Sequence, residues 1–174
     1  TNFNLPEKAE ELLTLSADVN ENNDLDNLLS LGGFPEPFFS GSENFWKRWS
    51  ANHGELIVRE DLKDLSKIVE LDKIEHLLEF IIPSVGQIVS YRNLAQDLET
   101  THGSIKRWLD TLNKVQLVFP VSPYSKKIRR AYTTEKKWYL ADWRAAKDNL
   151  FENYIASSLL RAVTLYSDRF GDKM

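Results

Sequence analysis

A P-loop holds phosphate with a Gly-Lys pair followed by Ser or Thr, so that backbone N–H groups and an ammonium surround the anion. None of the seven glycines in this 174-residue chain is followed by lysine, so the chain by itself is no P-loop ATPase. His53, His76 and His102 stand alone, and there is no cysteine. Zinc-type sites need several such donors at short spacing, so no metal site is expected. No Gly-x-Ser-x-Gly nucleophile motif occurs. The acids Asp61 and Asp64 fall where a helix is expected to start, and capping accounts for them better than catalysis. No catalytic residue is expected, and the chain is read as a non-enzyme.

Binding is the alternative, and two stretches invite it. In Leu31-Gly-Gly-Phe-Pro-Glu-Pro37, two glycines and two prolines fall within six positions. Gly32 and Gly33 tolerate positive φ, while Pro35 and Pro37 fix φ and carry no N–H. A rigid, sharply turned loop is predicted, either a plain helix stop or a loop that contacts a ligand. The second stretch is basic: Ser125–Lys137 carries Lys126, Lys127, Arg129, Arg130, Lys136 and Lys137 against Glu135 alone. By contrast, Glu7, Glu10, Glu11, Asp18, Glu21, Asp24 and Asp26 make residues 1–30 acidic against Lys8 alone. Net charge is −4, which does not favour nucleic acid overall.

Composition supports a folded chain, at 42% hydrophobic and 11% aromatic residues. The absence of cysteine fits a reducing cytoplasm, and neither a membrane-spanning run nor a signal peptide is visible. The chain opens on Thr1 and keeps its only methionine for Met174, as expected of a piece of a longer protein.

Hydrophobic spacing predicts helices over Pro6–Asp18, with Ala9, Leu12, Leu13 and Leu15 inward, and over Asp24–Ser30, with Asp24 as N-cap and Gly32 just past the end. Ser42 caps a third helix bearing Phe45, Trp46, Trp49, His53, Leu56 and Ile57 on one face. A fourth, from Ile68 to Ile82, is apolar on most sides and limited by Pro83. Beyond Ser84, Tyr91–Leu98 and His102–Val115 read as two helices joined by a tight turn, a helix-turn-helix. Strands are predicted at Leu117–Pro120, Ile128–Thr133 and Lys137–Ala141, completing a winged helix. Asp148 caps a last helix, Asn149 to about Leu165, with Leu150, Tyr154, Ile155, Leu159, Ala162 and Val163 inward.

On the second helix of the helix-turn-helix, His102, Ser104, Lys106, Arg107, Asp110 and Lys114 are expected to face outward. Lys106 and Arg107 suit phosphates or base edges in a major groove, with Lys126, Lys127, Arg129 and Arg130 of the wing on the backbone. Asp97, Glu99 and Asp110 oppose this, and solvated charge on a strand edge explains the same lysines. Trp143 reads equally as a contact surface or as core.

Seven pieces in order resemble the C-terminal region of prokaryotic AAA-superfamily ATPases with STAND-type relatives. They are Gly32–Glu36, Trp46–Trp49, Val58–Leu62, Ser90–Leu98, Ser122–Tyr124, Lys137–Asp142 and Phe151–Asn153, spanning about 25–155. The resemblance implies that Gly33, Phe34 and Pro35 lie against ATP or ADP held by a P-loop module preceding this chain. It implies that Arg59 either senses a γ-phosphate or pairs with Glu60 or Asp64. It also implies that Phe151–Asn153 opens a restriction-endonuclease-like domain whose metal-binding residues lie beyond Met174.

The expected fold is mainly α: a helical lid-like bundle (1–83), a winged helix-turn-helix with a small β-wing (84–143), and the first helix of a truncated nuclease-like domain (144–174). The expected function is coupling of nucleotide state to a winged helix that binds double-stranded DNA or a protein. No cofactor is expected in this chain, with ATP in the parent. The alternatives are a stand-alone winged-helix DNA-binding regulator and the connector of a nucleotide-switched nuclease.

Overall fold

Several helix boundaries among the described residues of the first half are set by local signals. The computed structural model describes residues 23–61, 70–123 and 135–171. Helix α1 (Asn23–Leu31) carries Asp24 and Asp26 in its first turn, where they favour the helix dipole. Asp24 is thus one position inside the helix rather than its cap. Gly32, at φ +78°, ends it and donates its N–H to the Leu28 carbonyl at 3.0 Å. Pro35 and Pro37 do not make a loop: they open α2 (Pro35–Ser40). Pro35 takes the first helical position, where a missing N–H costs nothing, and Phe34 before it is extended (φ −81°, ψ 134°). Ser42 caps α3 (Glu43–Leu56) by accepting from the Phe45 N–H at 3.3 Å. A π-helical turn, Ile57–Asp61, continues α3, so Asp61 closes a helical segment instead of starting one. Asp64 lies outside the described residues, as do the predicted Pro6–Asp18 helix and the Ile128–Thr133 strand.

Helix α4 (Leu71–Ile81) buries Ile74, Leu77 and Ile81 completely. They join one core with Tyr91, Leu94, Ala95 and Leu98 on and after α5 (Tyr91–Asp97) and with Ile105, Trp108, Leu109 and Leu112 on α6 (His102–Lys114). Residues on both sides of the boundary expected at 83–84, Ile81 and Val85 among them, share this core. The turn between α5 and α6 is closed by the Thr100 N–H to the Ala95 carbonyl at 2.8 Å. Strand β1 (Val118–Val121) pairs antiparallel with β2 (Lys137–Leu140), Val118 opposite Leu140. Ile88 bridges to Lys137 on the other side of β2, so the lateral order is Ile88, β2, β1. The molecule is mainly helical with this small antiparallel sheet.

A 3-10 segment, Trp143–Asn149, leads into α7 (Leu150–Phe170) through a kink at Lys147 (φ 47°). Asn149, not Asp148, sits at the N-cap position of α7, and its side chain makes no capping bond. Among the described residues no helix is long and apolar enough to cross a membrane.

Candidate coupling site and nucleic-acid face

The residues just after β2 join the two halves of the chain. Asp142 accepts hydrogen bonds from Trp46 Nε1 (3.1 Å) and Ser50 Oγ (2.9 Å), both on α3, and from the Arg144 N–H (3.2 Å). Burial pushes the Asp142 carboxyl above the ordinary 3.8; the bonds from Ser50 and Trp46, the Arg144 N–H and nearby His53 pull the other way. Trp143 is 1% exposed and donates from Nε1 to the Leu28 carbonyl of α1 at 3.0 Å. Arg144 donates from Nε to the Ser30 carbonyl at 2.8 Å, lies 4.8 Å over the Trp46 ring and pairs with Glu43. Three consecutive side chains thus clasp α1 and α3 to the end of β2.

The glycine pair fits this clasp. A Cβ on Gly33 would overlap the Trp143 indole, so only glycine admits the ring there. That indole also meets the Tyr154 ring in a T-shaped contact (5.3 Å) and the guanidinium of Arg161 (4.9 Å), both on α7. Trp143 is core, which resolves the two readings it had from sequence.

Phe34 leans on Trp49 (4.8 Å) and His53 (5.2 Å), whose rings stack on each other at 4.4 Å. Trp49 Nε1 donates to Glu36 at 2.9 Å, so Gly33 and Phe34 are held by the chain's own aromatics while Pro35 is exposed. Arg59 points elsewhere: its guanidinium pairs with Glu55 (3.1 Å) and with Glu75 of α4 (2.9 Å). Of the partners expected for Arg59, the Glu60 side chain and Asp64 lie outside the described residues.

The last piece of the ordered series, Phe151–Asn153, anchors α7. Buried Asn153 accepts from the Leu140 N–H (2.8 Å) and donates Nδ2 to the Leu140 carbonyl (2.8 Å). Its amide thereby pairs with β2 as another strand would. Glu152 accepts from the Tyr139 hydroxyl at 2.8 Å and pairs with Lys137 at 3.3 Å. Desolvation first, then Glu152, pushes the Tyr139 phenol up to about 12. This polar face turns α7 round from the expected orientation: Asn153 and Ser157 are buried, while Ile155 (41%), Leu159 (57%) and Val163 (39%) are exposed.

On α6, Lys106, Arg107, Asp110 and Lys114 are exposed, as expected for an outward face. Ser104 is not: it is 8% exposed, because it turns inward to Thr101, whose hydroxyl caps α6 through the Ser104 N–H (3.1 Å). Arg107 donates to the Ser104 hydroxyl at 3.3 Å, and exposed His102 packs its ring 5.6 Å from Tyr91. Lys126, Lys127, Arg129 and Arg130 lie outside the described residues. Among the described residues no group of three or more His, Asp or Glu could hold a metal.

Comparison with known families decides the membership. A domain of unknown function, DUF8612, matches residues 22–143. The chain belongs to the DUF8612 family. The DUF8612 region takes in α1 to β2 and ends on Trp143, so the indole's α7 neighbours Tyr154 and Arg161 come from outside it. An uncharacterized protein of the archaeon Methanocaldococcus jannaschii, MJ1637, is 32% identical over 82 residues, covering 44% of this chain. The match spans 17% of that relative's length. No solved structure matches.

Sequence reasoning singled out Gly33 and Phe34 but missed the partners that hold them. Asp142 closed a motif without a stated role, Tyr154 was expected to face inward but without a named partner, and Arg144 and Arg161 had no distinguishing pattern. Asn153 had a signal, a polar residue on an apolar helix, that was read only as part of a resemblance.

Proposed function

We propose that this DUF8612 chain is a non-catalytic relay. It would couple the nucleotide state of a P-loop ATPase module, in a longer parent protein, to a winged-helix surface that binds duplex DNA or a protein. The observation that carries the reading is the clasp of Asp142, Trp143 and Arg144. The Gly33–Pro35 segment cannot shift against Trp143 without disturbing the end of β2, because the indole occupies the space a side chain on Gly33 would need and Trp143 and Arg144 are bonded to the α1 carbonyls. Packed elements of this kind move as bodies and not by local yielding. Pro35, exposed beside this joint, is the part of the segment left free to meet a nucleotide. Arg59 is the weaker candidate, since Glu55 and Glu75 already neutralise it. ATP is the cofactor of the proposed parent, and the cytoplasm its compartment.

The test is nucleotide binding measured on the natural gene product and on the present chain. A Gly-Lys-Ser/Thr loop encoded before Thr1, ATP binding by the longer product and its weakening in Pro35→Ala are expected. Undiminished binding in Pro35→Ala removes the loop from the reading, and a natural gene without a P-loop module ends it.

A winged-helix DNA-binding regulator is the second reading, favoured by Lys106, Arg107 and Lys114 standing exposed on α6. Phosphate contacts give affinity that falls steeply with salt. Duplex binding measured by anisotropy should then weaken with added salt, and Lys106→Ala with Arg107→Ala should flatten that dependence. Binding unaffected by either change excludes α6 as the contact.

A further inference from the structure

Beside the clasp lies a groove of about 790 Å³, a volume that suits a small organic molecule. Phe34 and Ile57, Val115 and Phe119, and Leu160 and Leu165 of α7 give it a mostly apolar lining. Leu160 is 44% and Leu165 57% exposed, so apolar surface stands open to water there. Arg161 is the permanently charged side chain of the lining, and no carboxylate belongs to it.

That arginine is held in place without being neutralised. Its guanidinium lies 4.9 Å over the Trp143 ring, and the ring is fixed in turn by its bond to the Leu28 carbonyl. A contact through the face of a guanidinium leaves the in-plane N–H groups able to donate. Among the described residues no carboxylate pairs with Arg161. Asp142, next in the chain to the lining residue Ala141, is engaged by Trp46, Ser50 and the Arg144 N–H and does not line the groove.

We propose that the groove binds a small-molecule carboxylate with an apolar body, its carboxylate on Arg161 and its body along the leucines and Phe119. Charge selects this occupant. A planar guanidinium takes a carboxylate through two parallel N–H bonds, and one permanent positive charge matches a monoanion. A cation would find no counter-charge in the lining. A neutral chain would gain the same apolar burial but leave the guanidinium without an acceptor. Preorganisation adds to this, because Arg161 is already ordered by the indole and little freedom remains to be lost on binding. The site stands independently of nucleotide or DNA binding.

The experiment titrates the full chain with octanoate, octan-1-ol and octyltrimethylammonium, following methyl groups by NMR. Octanoate should bind saturably, shifting the methyls of Val115, Leu160 and Leu165. Octanol should bind about tenfold more weakly, the difference made by a hydrogen bond to a charged group. Arg161→Gln should abolish that difference between the two. Thr164→Glu sets a carboxylate in the lining, at a hydroxyl bonded only to the Leu160 carbonyl of its own helix. It should weaken octanoate severalfold and strengthen the ammonium, with an unchanged circular dichroism spectrum. Equal affinity for octanoate and octanol, octanoate binding indifferent to both variants, or shifts confined to other methyls would each overturn the proposal. So would a dimer in sedimentation that Thr164→Glu disperses, which would give the groove to a second copy.

Discussion

At the clasp, Asp142 has three donors within 3.2 Å and Trp143 is 1% exposed, whereas Lys106 and Arg107 on α6 stand in solvent. The two places use their residues differently. Around Trp143 the characteristic glycine, tryptophan and aspartate are consumed by contacts inside the chain. On α6, Lys106 and Lys114 are exposed, and exposed Arg107 donates to Ser104 of its own helix. A distinctive sequence stretch such as Gly32–Glu36 therefore need not face outward; here Gly33 and Phe34 build a joint inside the chain.

Substitutions sharpen that contrast. Trp143→Ala should cost most, about 3–5 kcal/mol, because it empties a fully buried ring site and frees the Leu28 carbonyl; urea unfolding measures it. Gly33→Ala should also destabilise strongly alone, but much less in the Trp143→Ala background, where the new methyl has room. A double-mutant cycle that came out additive would show that the two residues do not share space. Asn153→Ala should cost about 1–3 kcal/mol, since it leaves the Leu140 N–H and carbonyl without their partner.

Smaller effects come from titration and from the open face. The folded value of Asp142 lies above 3.8, so the folded chain keeps a proton that the unfolded chain has released. The stabilising contribution of that proton is complete below 3.8 and is lost as pH rises through the folded value. Asp142→Asn does not titrate, so the stability of the natural chain relative to this variant should fall as pH is raised from 3.8. Unfolding midpoints across that range check the sign. Lys106→Ala with Arg107→Ala should leave stability within about 0.5 kcal/mol, as exposed sites do. A larger loss would mean that α6 is structural like the clasp.

Local signals were legible in the chain, and long-range ones were not. Ser42, Gly32, the two helices of the helix-turn-helix and the pairing segments of β1 and β2 follow from caps, breakers and periodicity, each set within a few residues. The Pro35–Ser40 helix was hidden because proline marks both loops and first helical turns. Ser104 was misplaced because a cap turned it inward. Helix α7 failed for a deeper reason: periodicity assumes that apolar residues face the core, but the buried Leu140 N–H and carbonyl of β2 claim Asn153 first. The site suffered in the same way. Gly33 and Phe34 could be noticed, yet Trp143 lies 110 residues further on in the sequence, and nothing local announces that it fills the gap.

The missing side chain at position 33 carries a consequence for descent. That glycine cannot drift while the indole is pressed on it, since any larger residue at 33 collides unless position 143 has already shrunk. Among relatives, glycine at 33 should survive wherever tryptophan stands at 143. A lineage that keeps the ring yet replaces the glycine must have rebuilt the whole hinge between its front helices and its sheet.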